Sequence, residues 1–207
     1  MHFLAAHEPA PTEVPGDVAW PLLPGAGLPH RAGQRPEVSW SIPQQQQSQN
    51  APAALQEQLF ERVSSLAGVS TSVSHISVPG ARAFVVSNAD GPDDGFLVPR
   101  VGEFAHLHPE YVGSLHLALP TPLAADLVVR GWGTPHPWAG TRLAPGFVML
   151  VGPRSSEELE TVVGVVRTAH AFTTSAASER ARPGPRGSGH LANDPTPEVF
   201  GPTVGHT

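Results

Sequence analysis

The chain has 207 residues, enough for one domain of ordinary size with room for tails. Its net charge is −6, and its 12 basic residues are all arginines with no cluster among them, which argues against a nucleic-acid partner. With no cysteine, disulfides, thiolate metal sites and a cysteine nucleophile are excluded together.

The N-terminus, "MHFLAAHEPAP", lacks the positive start and the long apolar run of a signal peptide. No stretch approaches the roughly 18 apolar residues of a membrane span, so a cytoplasmic protein without membrane partners is expected. Residues 1–51 hold eight prolines and the run Gln44-Gln45-Gln46-Gln47. Trp20, Leu22, Leu23 and Trp40 follow no helical or strand period, so this stretch reads as a disordered Pro/Gln-rich arm. The Pro/Gly-rich residues 174–207 read as a disordered tail, leaving 52–173 as the folded domain.

Within 52–67, Leu55, Leu59, Val63 and Leu66 recur at spacings of three and four, which predicts an amphipathic helix. Runs 69–78 and 82–87 flank Pro79-Gly80 and predict a β-hairpin. "NADGPDDG" (88–95) lacks calcium-loop spacing and reads as a solvated turn. Phe96 to Val98 reads as a short strand. Thr121-Pro122 opens a helix with Thr121 as its cap, and Gly131 ends it. Residues 146–151 predict a buried strand. Ser155 and Glu158 form a capping box for a last helix with Leu159, Val162, Val163 and Val166 on one face. The order predicts an α+β fold, a mostly antiparallel sheet with helices packed on one face.

The stretch 103–120, "EFAHLHPEYVGSLHLALP", places three histidines within eleven positions. Strand alternation sets His106 and His108 on one face, and in "SLHLALP" it sets His116 opposite the leucines. If the two runs pair around Pro109–Gly113, His106 opposes His116 and His108 opposes Ser114. Three imidazoles then cluster, with Cβ atoms of opposed pairs roughly 4.5–5.5 Å apart. Such a cluster suits a transition metal held by His106, His108 and His116, or acid–base work by the imidazoles themselves. No carboxylate has a spacing that nominates it as a further ligand.

In "RGWGTPHPWAG" (130–140), Pro135 and Pro137 hold His136 in a stiff extended segment. Gly131 and Gly133 allow backbone conformations closed to other residues. Trp132 and Trp138 offer flat apolar surface for a small aromatic ligand. Arg100, Arg130 and Arg154 are candidate anchors for an anionic substrate, Arg130 being the one nearest this loop.

The elements HLHP, SLHL and GWG-x-PHP-x-AG, followed by "GPRSSEELETVVGVVRTAHAF", occur in one order over roughly residues 75–172. In that order they resemble the luciferase domain of fungal bioluminescence and its bacterial luciferase-like relatives. The fungal enzymes oxygenate a hydroxylated pyrone without a flavin or nicotinamide. The resemblance implies His106, His108, His116 and His136 as catalytic residues, with Trp132 beside them, and it implies dioxygen as co-substrate. Where the fungal proteins carry a hydrophobic N-terminal segment, this chain has its proline- and glutamine-rich arm.

The expected function is a monooxygenase-type oxidoreductase that acts on a small phenolic or enolic compound, with His106 or His116 taking a proton. No organic cofactor is predicted, and a transition metal is the one cofactor the residues would suit. Two other readings stay open: a non-catalytic module for a metal or small ligand, and a protein-interaction domain.

Overall fold

A computed structural model describes residues 18–23, 27–87 and 91–180. Residues 1–17 and 24–26, the first three residues of "NADGPDDG" and the tail beyond residue 180 lie outside it. So do the expectations of a missing signal sequence and of a disordered tail end.

Helix α1 (Ala53–Ser64) follows Pro52 and buries Gln56, Leu59 and Val63. Strands β1 (Val69–Val73) and β2 (Arg82–Val86) form the expected hairpin. Two single 3-10 turns then lead into β3 (Glu103–Leu107). The strand expected at Phe96 to Val98 reduces to one bridge, Val98 to Glu103, because these turns take up the chain on either side. After β4 (Leu115–Ala118) come α2 (Thr121–Val129), β5 (Gly133–Pro135), β6 (Phe147–Leu150) and α3 (Ser156–Arg180).

The six strands make one antiparallel sheet in the order β1-β2-β3-β4-β6-β5. All three helices pack on one face. Leu59 and Val63 of α1, Leu127 of α2 and Val162, Val163 and Val166 of α3 share a core with Phe84, Leu107, Leu115, Leu117, Val148 and Leu150. The fold is α+β as the element order predicts.

Two caps differ from expectation. Pro120 holds the N-cap position of α2 and Thr121 makes no side-chain cap, since the extended backbone of Pro120 (ψ 134°) already starts the helix. At α3, Ser155 Oγ accepts from the Glu158 N–H at 3.2 Å, but the Glu158 carboxylate reaches past Ser155 to the Arg154 N–H.

The larger correction concerns residues 1–51. The described part of this segment is ordered and belongs to the domain. Trp20 is 4% exposed and donates Nε1–H to Asp126 Oδ2 at 2.7 Å, and Leu28 is 1% exposed in the helix-side core. Arg154 donates to Ala32 O and Gln49 Oε1 and pairs with Glu158. Gln46 Oε1 accepts from Gly152 N–H. The arm then reaches the other face of the sheet, where Gln44 bonds to β5. It is held by single side chains set into separate slots, and such anchoring leaves no period in the sequence. Likewise α3 continues through residues 174–180, which were expected to be tail.

Candidate functional site

The face of the sheet away from the helices carries the histidines. β3 and β4 pair with His106 opposite His116, and the His108 N–H donates to Ser114 O, the register expected of a five-residue turn. Ring centroids lie 5.3 Å apart for His106–His108, 5.2 Å for His106–His116 and 4.7 Å for His108–His116. His136 joins them, 5.1 Å from His116. Its segment is set by two glycines. Gly131 ends α2 with φ +83°, and at Gly133 a Cβ would lie 2.3 Å from Met149 O. The chain thus lies tight against β6, and the His136 N–H donates to Phe147 O.

Glu103 is the site residue that sequence spacing misses. Between Phe84 and Val85 the β2–β3 register slips, with Phe84 facing Ala105 but Val85 facing Glu103. Phe104 and Ala105 both turn to the helix-side core. This bulge reverses the alternation, so Glu103 shares a face with His106 although the two are an odd three positions apart. Glu103 is fully buried. Its Oε1 lies 2.9 Å from His106 Nδ1 and accepts from Ser74 Oγ–H at 2.7 Å, and its Oε2 accepts from the His75 N–H at 2.9 Å. Burial works to raise this carboxyl's pKa, but the bonds from His106, His75 and Ser74 prevail and hold it below the usual range.

The network continues across the strands. His106 Nε2 lies 3.2 Å from His116 Nδ1, and His116 Nε2 lies 3.1 Å from Gln44 Oε1. Gln44 Nε2 donates to Pro135 O at 3.1 Å and Thr134 Oγ1 at 3.2 Å, which fixes the amide's orientation. His108 Nδ1 lies 2.9 Å from Ser114 Oγ. His136 Nδ1 accepts from the Trp138 N–H at 3.2 Å, so in the neutral ring Nε2 carries the proton. Burial, with the charge of His106 adding to it, pushes His108 down to about 3. His116 is held well below its ordinary value by burial first and then by the neighbouring histidines. His136 is lowered by burial and then by His106.

Above the cluster lies a cavity of about 230 Å³. His106, His108 and His116 form its floor and His136, Trp138 and Phe147 one wall. Ile42, Pro43 and Gln44 of the arm and Ile76 to Val78 of the β1–β2 connection complete its lining. Trp138 is 37% exposed at the rim.

The structure brings together His106, His108, His116, His136 and Trp138, but not Trp132 or Arg130. Trp132 is 3% exposed in the helix-side core, with Nε1–H donated to Pro29 O at 2.6 Å. Strand parity alone would place it with His136, four positions on, but Trp132 precedes the close approach at Gly133 and turns to the core. Arg130 donates Nε–H to Asp126 at 2.7 Å, one helical turn back and away from the cavity. Arg154 is likewise spent on Glu158 and the arm, and neither it nor Arg100 lines the cavity.

Fold and site together define a class: an α+β domain whose sheet carries helices on one face and a buried histidine cluster on the other. Residues 101–169 match the luciferase domain. The luciferases of Armillaria ostoyae and Armillaria mellea are each 29% identical over 164 residues, covering 71% of this chain and 61% of theirs. That of Neonothopanus nambi is 27% identical over 166 residues, covering 72% and 62%. The chain is thus similar to the luciferase domain over that stretch and to the fungal luciferases at just under 30% identity. It spans about three fifths of the length of the curated relatives it matches. No solved structure matches it significantly.

Proposed function

We propose that this luciferase-like protein is an oxygenase that binds a small phenolic or enolic compound over the histidine cluster and reacts it with dioxygen. The observation that carries this reading is the cavity itself, with four imidazoles on an apolar, aromatic wall. A cavity of roughly 150 Å³ is enough for a benzene ring, so about 230 Å³ suits one substituted ring.

The polar groups suit an ionised oxygen. His136 Nε2–H is a donor without a protein partner among the described residues, and His108 Nε2 is likewise unpaired. The substrate's acidic hydroxyl gives its proton to the cluster, and the remaining N–H groups steady the oxyanion. The negative charge forming beside the imidazole offsets the burial that otherwise keeps it neutral. The electron-rich ring carbon then bonds to one oxygen of O2. That carbon is oxidised, dioxygen is reduced to the peroxide level, and the proton returns to the outer oxygen.

Oxygen uptake by the purified full chain, screened with hydroxypyrones and catechols, tests the reading. Turnover is expected with at least one compound, and His136→Ala and His108→Ala are expected to lower it about 100-fold or more. Saturable binding with no oxygen uptake by any compound would instead favour a non-catalytic binding module.

A further inference from the structure

The partners around the cluster fix which ring nitrogens carry protons. Glu103 Oε1 only accepts, so the nitrogen facing it, His106 Nδ1, is a donor. Gln44 spends its NH2 on Pro135 O and turns Oε1 to His116, so His116 Nε2 is also a donor. In neutral rings, the lone pairs of His106 Nε2 and His116 Nδ1 then face each other across 3.2 Å. Two lone pairs so placed repel unless a positive charge lies between them. His108, with Nδ1 on Ser114 Oγ, turns a third lone pair from Nε2.

We propose that His106 Nε2, His108 Nε2 and His116 Nδ1 are the ligands of a divalent first-row transition metal ion, with the fourth position open to the cavity. One ring nitrogen from each of these buried residues lies within 4.8 Å of the other two. Metal–nitrogen bonds of about 2.0–2.1 Å in a tetrahedron set ligand nitrogens roughly 3.3–3.4 Å apart. The 3.2 Å between His106 and His116 is already close to that spacing. Each outer nitrogen is held by its own acceptor: Glu103 for His106, Ser114 for His108 and Gln44 for His116. Second-shell partners of this kind orient metal-bound imidazoles and raise their basicity. A shared proton would bridge only two of the three lone pairs; an ion uses all three. An all-imidazole set favours zinc, copper, iron or nickel over magnesium or calcium. The site stands on ligand geometry and does not require the oxygenase reading.

The test is titration of the chelator-treated full chain with Co2+, followed by visible absorption, and with Zn2+, followed by calorimetry. One ion per chain at micromolar affinity or tighter is expected. Glu103→Gln keeps all three ligands and should weaken binding about 10–100-fold; His108→Ala should weaken it further. His75→Ala removes a nearby exposed imidazole while keeping the backbone N–H, and should leave affinity unchanged. Circular dichroism would check that each variant is folded. The proposal is overturned if no stoichiometric ion binds, or if folded His108→Ala binds as tightly as the native chain. Ion binding without oxygen uptake would remove the oxygenase reading and keep the metal site. Oxygen uptake by a chain that binds no stoichiometric ion would do the reverse.

Discussion

Glu103 shows how much one side chain can carry. Three donors, from His106, Ser74 and the His75 backbone, offset the cost of burying its charge. Removing the carboxylate orphans the His75 N–H and leaves Ser74 Oγ and His106 Nδ1 only their 3.3 Å contact with each other. Glu103→Ala is therefore expected to destabilise the domain by about 3–5 kcal/mol, as read from urea unfolding at neutral pH. The sequence could not nominate it. Regular alternation pairs position 103 with 105 and 107, on the helix face, and only the extra residue at Phe104 reverses this. By contrast, His106, His108 and His116 were legible, because parity and a five-residue turn suffice to define their register. His136 was legible for a different reason: two prolines leave its segment little conformational choice.

At the scale of elements, the arm is the instructive case. Helices and strands announce themselves by repetition, and α1 and the β1–β2 hairpin were readable on that ground. Residues 18–51 repeat nothing, yet Trp20 and Leu28 fill the core and Gln44 completes the histidine network. Trp20→Ala should cost about 3–5 kcal/mol, as for other buried aromatic truncations, whereas a disordered arm would lose nothing. Gln44→Ala would leave the His116 Nε2–H without its acceptor. Its expected cost is about 1–3 kcal/mol, measured by the same unfolding transitions, together with a wider cavity mouth. The tryptophans of the GWG loop were legible as apolar surface, but not by face. Trp132 and His136 are four residues apart across a glycine close approach that strand parity alone does not reveal.

At the scale of the molecule, the sheet separates two environments, a helix-covered apolar core and a polar cluster closed by the arm. No helix among the described residues is long and apolar enough to cross a membrane. Acid should weaken the whole assembly. His170 of α3 is lowered by burial, partly offset by its bond to Ala67 O. Since its folded pKa lies below the unfolded one, the stability it contributes is present above about pH 6.5 and is lost as pH falls through the folded value. Glu158 is also lowered: burial works to raise it, but Arg154 and then Arg31 prevail. Its contribution is present above the unfolded carboxylate range and is lost as pH falls through its folded value. Unfolding free energy should therefore decline as pH drops below about 6.5 and fall again below about 4.5, as measured by denaturant titration across pH 4–8.

Gln44 and Ser74, both bonded to the cluster, lie outside the 101–169 stretch that carries the family match. A protein trimmed to that stretch would keep every histidine of the site and lose two of the groups that aim them. Anyone grafting this pocket onto another scaffold, or shortening the chain for a reporter, should therefore cut ahead of Trp20. The unit that can be moved is larger than the unit that can be recognised.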